Sequence, residues 1–535
     1  MFKSLSKMII LASISLAIVL FSCQVSKSFY QSPPLVWTTS AMTSVGISDL
    51  APATAWQGDR PATVEPIHLM AARGEYEAFQ IVIQASVDDL NQVDVEVSNL
   101  SSRDGRHGGF IEAKNITLYR EHYMYIDRPS PSGWSKNPTR GVDWYADGLI
   151  PFVDPETGQD LTGAAIDAVP FNLETGKNQP IWVDIFVPRN LYPGEYYGKF
   201  TVKSDRGSTT GEILLTVWDF ELPVKPSMNS LFDVWEDRGP NTAKELVKHK
   251  VMPGVLRGKD NKAELINQWG LNSVRLPFWS GANYSTCQMN LPPTVEELKN
   301  ASSPYPSDLL VYVFSADEID ECQNLEPLLR QWGKNIHEAG LKHLVVMTPK
   351  RDLYDAIDIW VVQPQMYLDA GQKIAEVKQQ GDEIWFYTGH LTEYSPQWHV
   401  DSQPINWRIA QGFIAQSLGI TGVLHWRAEE WTNDPWRTVF IYQEGKNDFP
   451  GDGMVIYPGK EVGIAGVVPS IRLKWLREGI EDYEYIEMLK KQGFAEWALQ
   501  LTRSVGADWR NWTQDPEKLE AVRREMGNKI EQLNI

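Results

Sequence analysis

Leu309-Leu310-Val311-Tyr312-Val313-Phe314-Ser315-Ala316-Asp317-Glu318 is the stretch from which the fold of this chain can be worked outward. Its first six residues are apolar and rich in β-branched and aromatic side chains, the composition of a strand buried on both faces. Ile319-Asp320-Glu321-Cys322-Gln323-Asn324 follows, and helical spacing resumes at Leu325, so the unit is strand, loop, helix. Asp317 and Glu318 therefore stand just past a buried strand. In parallel α/β sheets that edge is where ligands bind and catalytic groups collect.

The same rhythm runs on either side. Strands are predicted at Ser230 to Val234, Ser273 to Leu276, Leu310 to Phe314, His343 to Met347, Ile357 to Val362, Ile384 to Tyr387 and Gly422 to Trp426. Helices are predicted near Thr242 to Lys250, Thr294 to Asn300, Leu325 to Ala339, Gly371 to Gln380 and Trp407 to Leu418. Strands alternating with helices over residues 228–468 fit a (β/α)8 TIM-like barrel, with the eighth strand to be sought between Val251 and Leu265. A doubly wound open sheet is the alternative, because counting strands does not establish closure.

Upstream, residues 34–222 carry short alternating runs such as Glu77 to Ile83, Val93 to Val97, Ile181 to Val187 and Ile213 to Val217, separated by Gly, Pro, Asn and Asp. This pattern predicts an antiparallel β-sandwich. A Gly-, Pro- and Asp-rich excursion from Pro129 to Asp167 is long enough to reach a neighbouring domain, and Leu222-Pro223-Val224-Lys225-Pro226 reads as a stiff linker. Downstream, residues 469–535 are helical. Ser470 is the expected N-cap of a helix with Ile471, Leu473, Trp475, Leu476, Ile480, Tyr483, Ile486 and Leu489 on its apolar side and its charges on a solvated face.

Residues 1–23 have Lys3 and Lys7 before an apolar run from Met8 to Phe21, the pattern of an export signal. Leu20-Phe21-Ser22-Cys23 resembles a bacterial lipobox, which makes Cys23 the expected lipidation site and the cell envelope the expected location; Gln24 after it is compatible with the outer membrane of a Gram-negative host. Cys287 and Cys322 are left without an assigned partner. The net charge of −19 argues against a nucleic-acid partner, which needs clustered Lys and Arg. No Gly-rich phosphate loop, HExxH or GxSxG occurs, so neither a cofactor, a metal nor a serine nucleophile is indicated.

Several acidic pairs compete for chemistry. Asp382-Glu383 precedes its strand, on the stability face of a barrel; Glu236-Asp237 and Glu429-Glu430 follow strands; Glu481-Asp482 is expected on the surface of the terminal helix. Asp317-Glu318 is favoured by position, yet adjacent residues suit poorly a pair of carboxylates flanking a scissile bond at about 5–5.5 Å or 6.5–9.5 Å. Adjacency suits a glycosidase in which the substrate's own 2-acetamido oxygen attacks the anomeric carbon. Asp317 would orient the amide and stabilise the oxazolinium ion, while Glu318 would act as acid and then base. Gln363, Gln365, Tyr387, His390 and Trp426 at other strand ends are the expected sugar contacts, with Trp431 and Trp436 as a wall and Tyr367 as a partner for the acetamido carbonyl.

Ala72-Arg73-Gly74-Glu75-Tyr76-Glu77-Ala78-Phe79-Gln80, Gln179 to Pro188, Pro193-Gly194-Glu195-Tyr196 and, above all, the run from Pro469 to Tyr485 resemble glycoside hydrolase family 123 and the wider domain-of-unknown-function family 4091 around it. The resemblance implies a β-sandwich followed by a (β/α)8 barrel and a retaining β-N-acetylgalactosaminidase with an adjacent Asp-Glu pair, matched here by Asp317 and Glu318. Ser315-Ala316 and Ile319-Asp320 depart from the expected surroundings of that pair. The expectation is thus a lipid-anchored enzyme releasing β-linked N-acetylhexosamine from a glycan, N-acetylgalactosamine favoured. The alternatives are a glycan-binding surface lipoprotein, or a glycosidase that pairs Glu318 with Glu429 or Asp237 on sugars lacking an acetamido group.

Overall fold

The computed structural model describes residues 33–52, 55, 66–103, 109–131, 137–388 and 394–533; the export signal with Cys23, and His390, lie outside them. The N-terminal sandwich has one five-stranded sheet, in the order Leu35–Ser40, Tyr76–Gln84, Asn178–Phe186, Ile116–Ile126 and Asp143–Pro151. It faces a second sheet built on Ile67–Arg73, Gly207–Glu221, Gly194–Ser204, Leu90–Val97 and Phe171–Leu173. Phe79, Ile81, Ile83, Ile181, Val183 and Ile185 meet Val95, Phe200, Val202, Ile213, Leu215 and Val217 in the core between the sheets. The sandwich is not wholly antiparallel, because Gly207–Glu221 runs parallel to Ile67–Arg73.

All seven predicted strands of the second region form one parallel sheet, in the order Asn229–Phe232, Gly422–His425, Glu383–Phe386, Ile359–Val362, Lys342–Val346, Leu310–Asp317 and Ser273–Arg275. The sheet curls until its two edge strands face each other. No eighth strand fills the gap among the described residues. Instead Met252 accepts from Phe232 N (2.8 Å) and Gly254 accepts from Arg275 N (3.3 Å), so irregular backbone bridges the two edges and nearly closes the barrel. Part of the predicted Val251 to Leu265 segment thus occupies the eighth position without becoming a strand. Inside, Leu231, Tyr312, Leu344, Val346, Ile359, Val361, Trp385 and Leu424 pack together.

The helix Ile471–Lys491 is capped by Ser470, whose side chain accepts from Leu473 N as predicted, but its charges are not solvated. Glu481 and Asp482 are 2% and 1% exposed, because the helix is wedged between the sandwich, the barrel helices and the terminal helix Pro516–Gln532. Arg472 clamps Asp147 through Nε (2.6 Å) and Nη2 (2.8 Å), and Arg477 clamps Asp184 through Nη2 (2.7 Å) and Nη1 (3.0 Å). Asp482 in turn accepts two bonds from Arg408 (2.6 and 2.9 Å). Asp184 lies on the face of the five-stranded sheet opposite the sandwich core, so alternation correctly located two faces but both are buried. The helix comes so close to its neighbour that a Cβ on Gly479 would lie 2.4 Å from Arg408 O, which only glycine permits.

The excursion does reach across: Ser130 N and Oγ donate to Asp401 (2.7 and 2.8 Å), and Asn137 bonds Ser395 O and Asn406 (both 2.9 Å). These contacts lock the sandwich against the barrel side from which the loops after Glu383–Phe386 rise.

Candidate active site

Asp317 is the last residue of Leu310–Asp317, and Glu318 follows in the left-handed region with φ +51°. A non-glycine residue held there costs on the order of 1–3 kcal/mol, a strain typical of functional positions. Glu318 N is pinned to Val346 O at 2.9 Å. Along this strand Val311 and Val313 face the surrounding helices, whereas Tyr312 and Phe314 face the barrel interior. A register shift then intervenes: Phe314 pairs with Leu344 and Ala316 with Val345, leaving Ser315 as an inserted residue. After it Ala316 packs outward and Asp317 turns to the mouth. This bulge accounts for Ser315-Ala316, and Ile319, only 1% exposed, anchors the loop in the core.

Two predicted sugar contacts converge on the acids. Tyr387, just past Glu383–Phe386, donates its hydroxyl to Glu318 Oε1, and Gln363, just past Ile359–Val362, donates Nε2 to the same oxygen at 3.3 Å. Glu318 Oε2 receives neither bond. Both acids are exposed to solvent at the mouth, with Asp317 partly desolvated by the protein packed around it. That desolvation, together with the Glu318 charge, pushes the Asp317 carboxyl up to about 7. Burial and the same two carboxylates drive the Tyr387 phenol far above its ordinary range, so it remains a donor. Among the described residues, no Lys or Arg pairs with Asp317 or Glu318.

Other predicted contacts lie elsewhere. Gln365 is occupied by Asp369 (2.7 Å) and by the Tyr394 hydroxyl. Tyr367 donates to Leu418 O (3.1 Å), turned away from the acids onto the outer helices. Trp436 is 2% exposed, donates to Pro458 O (2.9 Å) and packs on Gly148 of the sandwich; Trp431 donates to Ile456 O (2.7 Å) under Arg238. Both indoles join domains rather than wall a cleft, because the loop that carries them folds back onto the sandwich. Trp426 remains at the mouth, held by Asp452 (2.9 Å) and set edge-on to Trp235. Glu429 is wholly buried, accepting the backbone N–H of Trp235 (2.8 Å) and Glu236 (3.1 Å), and exposed Asp237 is paired with Lys259. Neither is available as a second reacting carboxylate.

The structure adds residues that sequence reasoning passed over. Trp235 (57% exposed) and Trp279 (46%) rise from the loops after the Asn229–Phe232 and Ser273–Arg275 strands, Trp279 edge-on to Phe314. The rule that located Gln363 and Tyr387, a few residues past a barrel strand, would have found both. Between them Arg275 holds Asp233 at 2.7 Å. Tyr442, from the hairpin Ile441–Glu444 and Asn447–Pro450, lies near enough to Glu318 and Asp452 for their charges to help burial raise its phenol. Cys287 and Cys322 form a disulfide (Cα–Cα 5.2 Å) that ties the Trp279 loop to the loop carrying the acids. No three His, Cys, Asp or Glu side chains among the described residues are arranged to hold a metal.

A family model described as the glycoside hydrolase 123 catalytic domain matches residues 330–489, and one described as the glycoside hydrolase 123 N-terminal domain matches residues 57–204. Together they span more than half of the chain. The chain belongs to glycoside hydrolase family 123. A family 123 glycoside hydrolase from Clostridium perfringens, described for glycolipid glycan hydrolysis, shares its fold: TM-score 0.62, 15% identity, 94% of this chain and 97% of that one. A Parabacteroides merdae β-glucuronidase (TM-score 0.26, 9% identity, 71% of this chain and 48% of that one) and a Bacteroides uniformis β-glucuronidase (0.23, 8%, 66% and 45%) are likenesses too slight to bear on the fold. No curated protein matches the sequence. For this family 123 chain, the run from Pro469 to Tyr485 supplies Arg472 and Arg477, and the stretches around Glu75 and Asp184 supply the sandwich side of the same buried interface.

Proposed function

We propose that the protein is a retaining glycosidase that releases terminal β-linked N-acetylhexosamine, N-acetylgalactosamine ahead of N-acetylglucosamine, through the substrate's 2-acetamido group. The observation that carries this reading is the adjacency of Asp317 and Glu318 at one mouth, with both neutral donors on Glu318 Oε1 and none on Oε2. In the free protein Asp317 is partly protonated near neutrality, its carboxyl raised by desolvation and by the Glu318 charge. An acetamido N–H donated to Asp317 favours its ionised form, which transfers the proton to Glu318 Oε2. The acetamido oxygen then attacks C1 while the bond from C1 to the leaving oxygen breaks, that oxygen taking the Glu318 proton. Asp317 balances the oxazolinium charge. Water, giving its proton to Glu318, opens the ring at C1 with net retention.

Exposed Trp235 and Trp279 and half-buried Trp426 supply flat faces suited to sugar rings. The glycolipid glycans named for the Clostridium perfringens enzyme make glycoconjugate ends a reasonable substrate class here. Export and lipidation at Cys23 remain part of the proposal, supported by a disulfide that needs an oxidising compartment; among the described residues no helix is long and apolar enough to cross a membrane. The test is turnover of aryl β-N-acetylgalactosaminide, β-N-acetylglucosaminide and β-galactoside. Cleavage of the first two alone is expected. Equal cleavage of the plain galactoside would rule out the acetamido mechanism, and binding of glycan without turnover would make the protein a glycan-binding lipoprotein.

A further inference from the structure

We propose that Ser315 is a positioning residue: the inserted residue of a bulge, fixed by His343 and Ser280, that turns Asp317 from the helix-facing side of its strand into the barrel mouth. Side chains alternate along a strand, and a shift of one residue exchanges the faces. In an unbroken strand Asp317 would share the parity of Val311 and Val313, both packed among the outer helices. Ser315 has no partner across the ladder, and beyond it the alternation resumes one step late.

The bulge is held by a directed chain of bonds. Ser315 is fully buried, with its hydroxyl 2.6 Å from His343 Nε2. His343 Nδ1 lies 2.6 Å from Ala356 O, which can only accept, so the ring proton is on Nδ1. Burial lowers the imidazole to about 4 and keeps it neutral, with Asp358 and His337 the nearest charges. Nε2 therefore offers a lone pair, and the Ser315 hydroxyl must donate to it. The Ser315 carbonyl is met by the Ser280 hydroxyl, from the loop that also carries Trp279. A serine this close to a histidine has the look of a nucleophile and its base. Complete burial denies it a substrate, and the histidine's other nitrogen is spent on a carbonyl.

The inference rests on reading Asp317 and Glu318 as the reacting pair, and its test separates the two. Ser315→Ala and His343→Leu are expected to lower kcat/KM at least tenfold. His343→Gln, whose amide can accept from Ser315 and donate to Ala356 O, is expected to recover most of the loss. In an Asp317→Asn background Ser315→Ala should cost less than threefold further, which a general loss of folded structure would not produce. Independently of any substrate, carbon-13 titration of the Asp317 carboxyl should move down by at least one pH unit in Ser315→Ala, provided the melting curve shows the variant folded. Unchanged titration and kcat/KM in Ser315→Ala, or full additivity with Asp317→Asn, would overturn the proposal. A wild type inert toward acetamido sugars would instead refute the functional reading and leave the titration to decide the bulge.

Discussion

Around the Ile471–Lys491 helix, Asp147, Asp184 and Asp482 are buried and each accepts two bonds from one guanidinium, whereas at the barrel mouth Asp317 and Glu318 meet water, each other and two neutral donors. Burial alone would raise Asp184, but Arg477 and Lys474 outweigh it and hold the carboxyl far below its usual range. Among the described residues no Lys or Arg offsets the desolvation of Asp317, and the neighbouring acid adds to it. The same residue type is therefore a fixed charge in one region and, in the proposed mechanism, a proton carrier in the other. What separates scaffold from chemistry in this protein is the partner, not the acidity of the segment.

The sharpest way to break the contrast is Asp184→Ala, which strands Lys474 and Arg477 in the interface. A loss of about 3–5 kcal/mol in denaturant unfolding is expected, with turnover per folded molecule retained. Less disruptive is Cys322→Ser. The bond it removes spans a sequence separation of 35, corresponding to about 4 kcal/mol in the chain-entropy treatment as an upper figure. Because both ends lie in mouth loops, turnover should fall severalfold in the variant, and in wild type under reductant, while the melting of the sandwich changes little. The smallest effect is expected from Asp317→Asn on stability. A carboxyl whose folded pKa lies above its unfolded value favours the folded state while protonated and opposes it once ionised. Wild-type stability should therefore decline as pH rises from about 4 to about 7 on account of this group, and Asp317→Asn should melt higher than wild type at pH 8, with the advantage shrinking toward pH 4.

Strand positions were readable because a buried strand has a distinctive composition: all seven barrel strands occur where β-branched runs predicted them. The placement of Asp317, Glu318, Gln363 and Tyr387 at the ends of barrel strands was readable from the runs that precede them. Closure of the barrel was not, since the bridge through Met252 and Gly254 has no periodic signal and uses only backbone groups. Nor was the burial of Arg472, Arg477 and Asp482. Helical periodicity assigns charged residues to solvent, and only the opposing Asp147, Asp184 and Arg408, distant in sequence, make an interior site for them. The disulfide was likewise invisible, because two cysteines 35 residues apart carry no pairing information until the Trp279 loop and the acid loop are seen side by side. Trp431 and Trp436 misled for the opposite reason: an aromatic-rich loop past a strand looks like a sugar wall, but this one folds onto Gly148 and the sandwich.

The central claim, that the acids lacking a cationic partner carry the chemistry, is tested most directly by kcat/KM on an aryl β-N-acetylgalactosaminide for wild type, Asp317→Asn and Glu318→Gln, normalised to folded protein. Losses of about 100-fold or more in both variants, with melting temperatures at or above wild type at pH 8, are predicted. Retention of turnover within a few-fold in either variant would contradict the account.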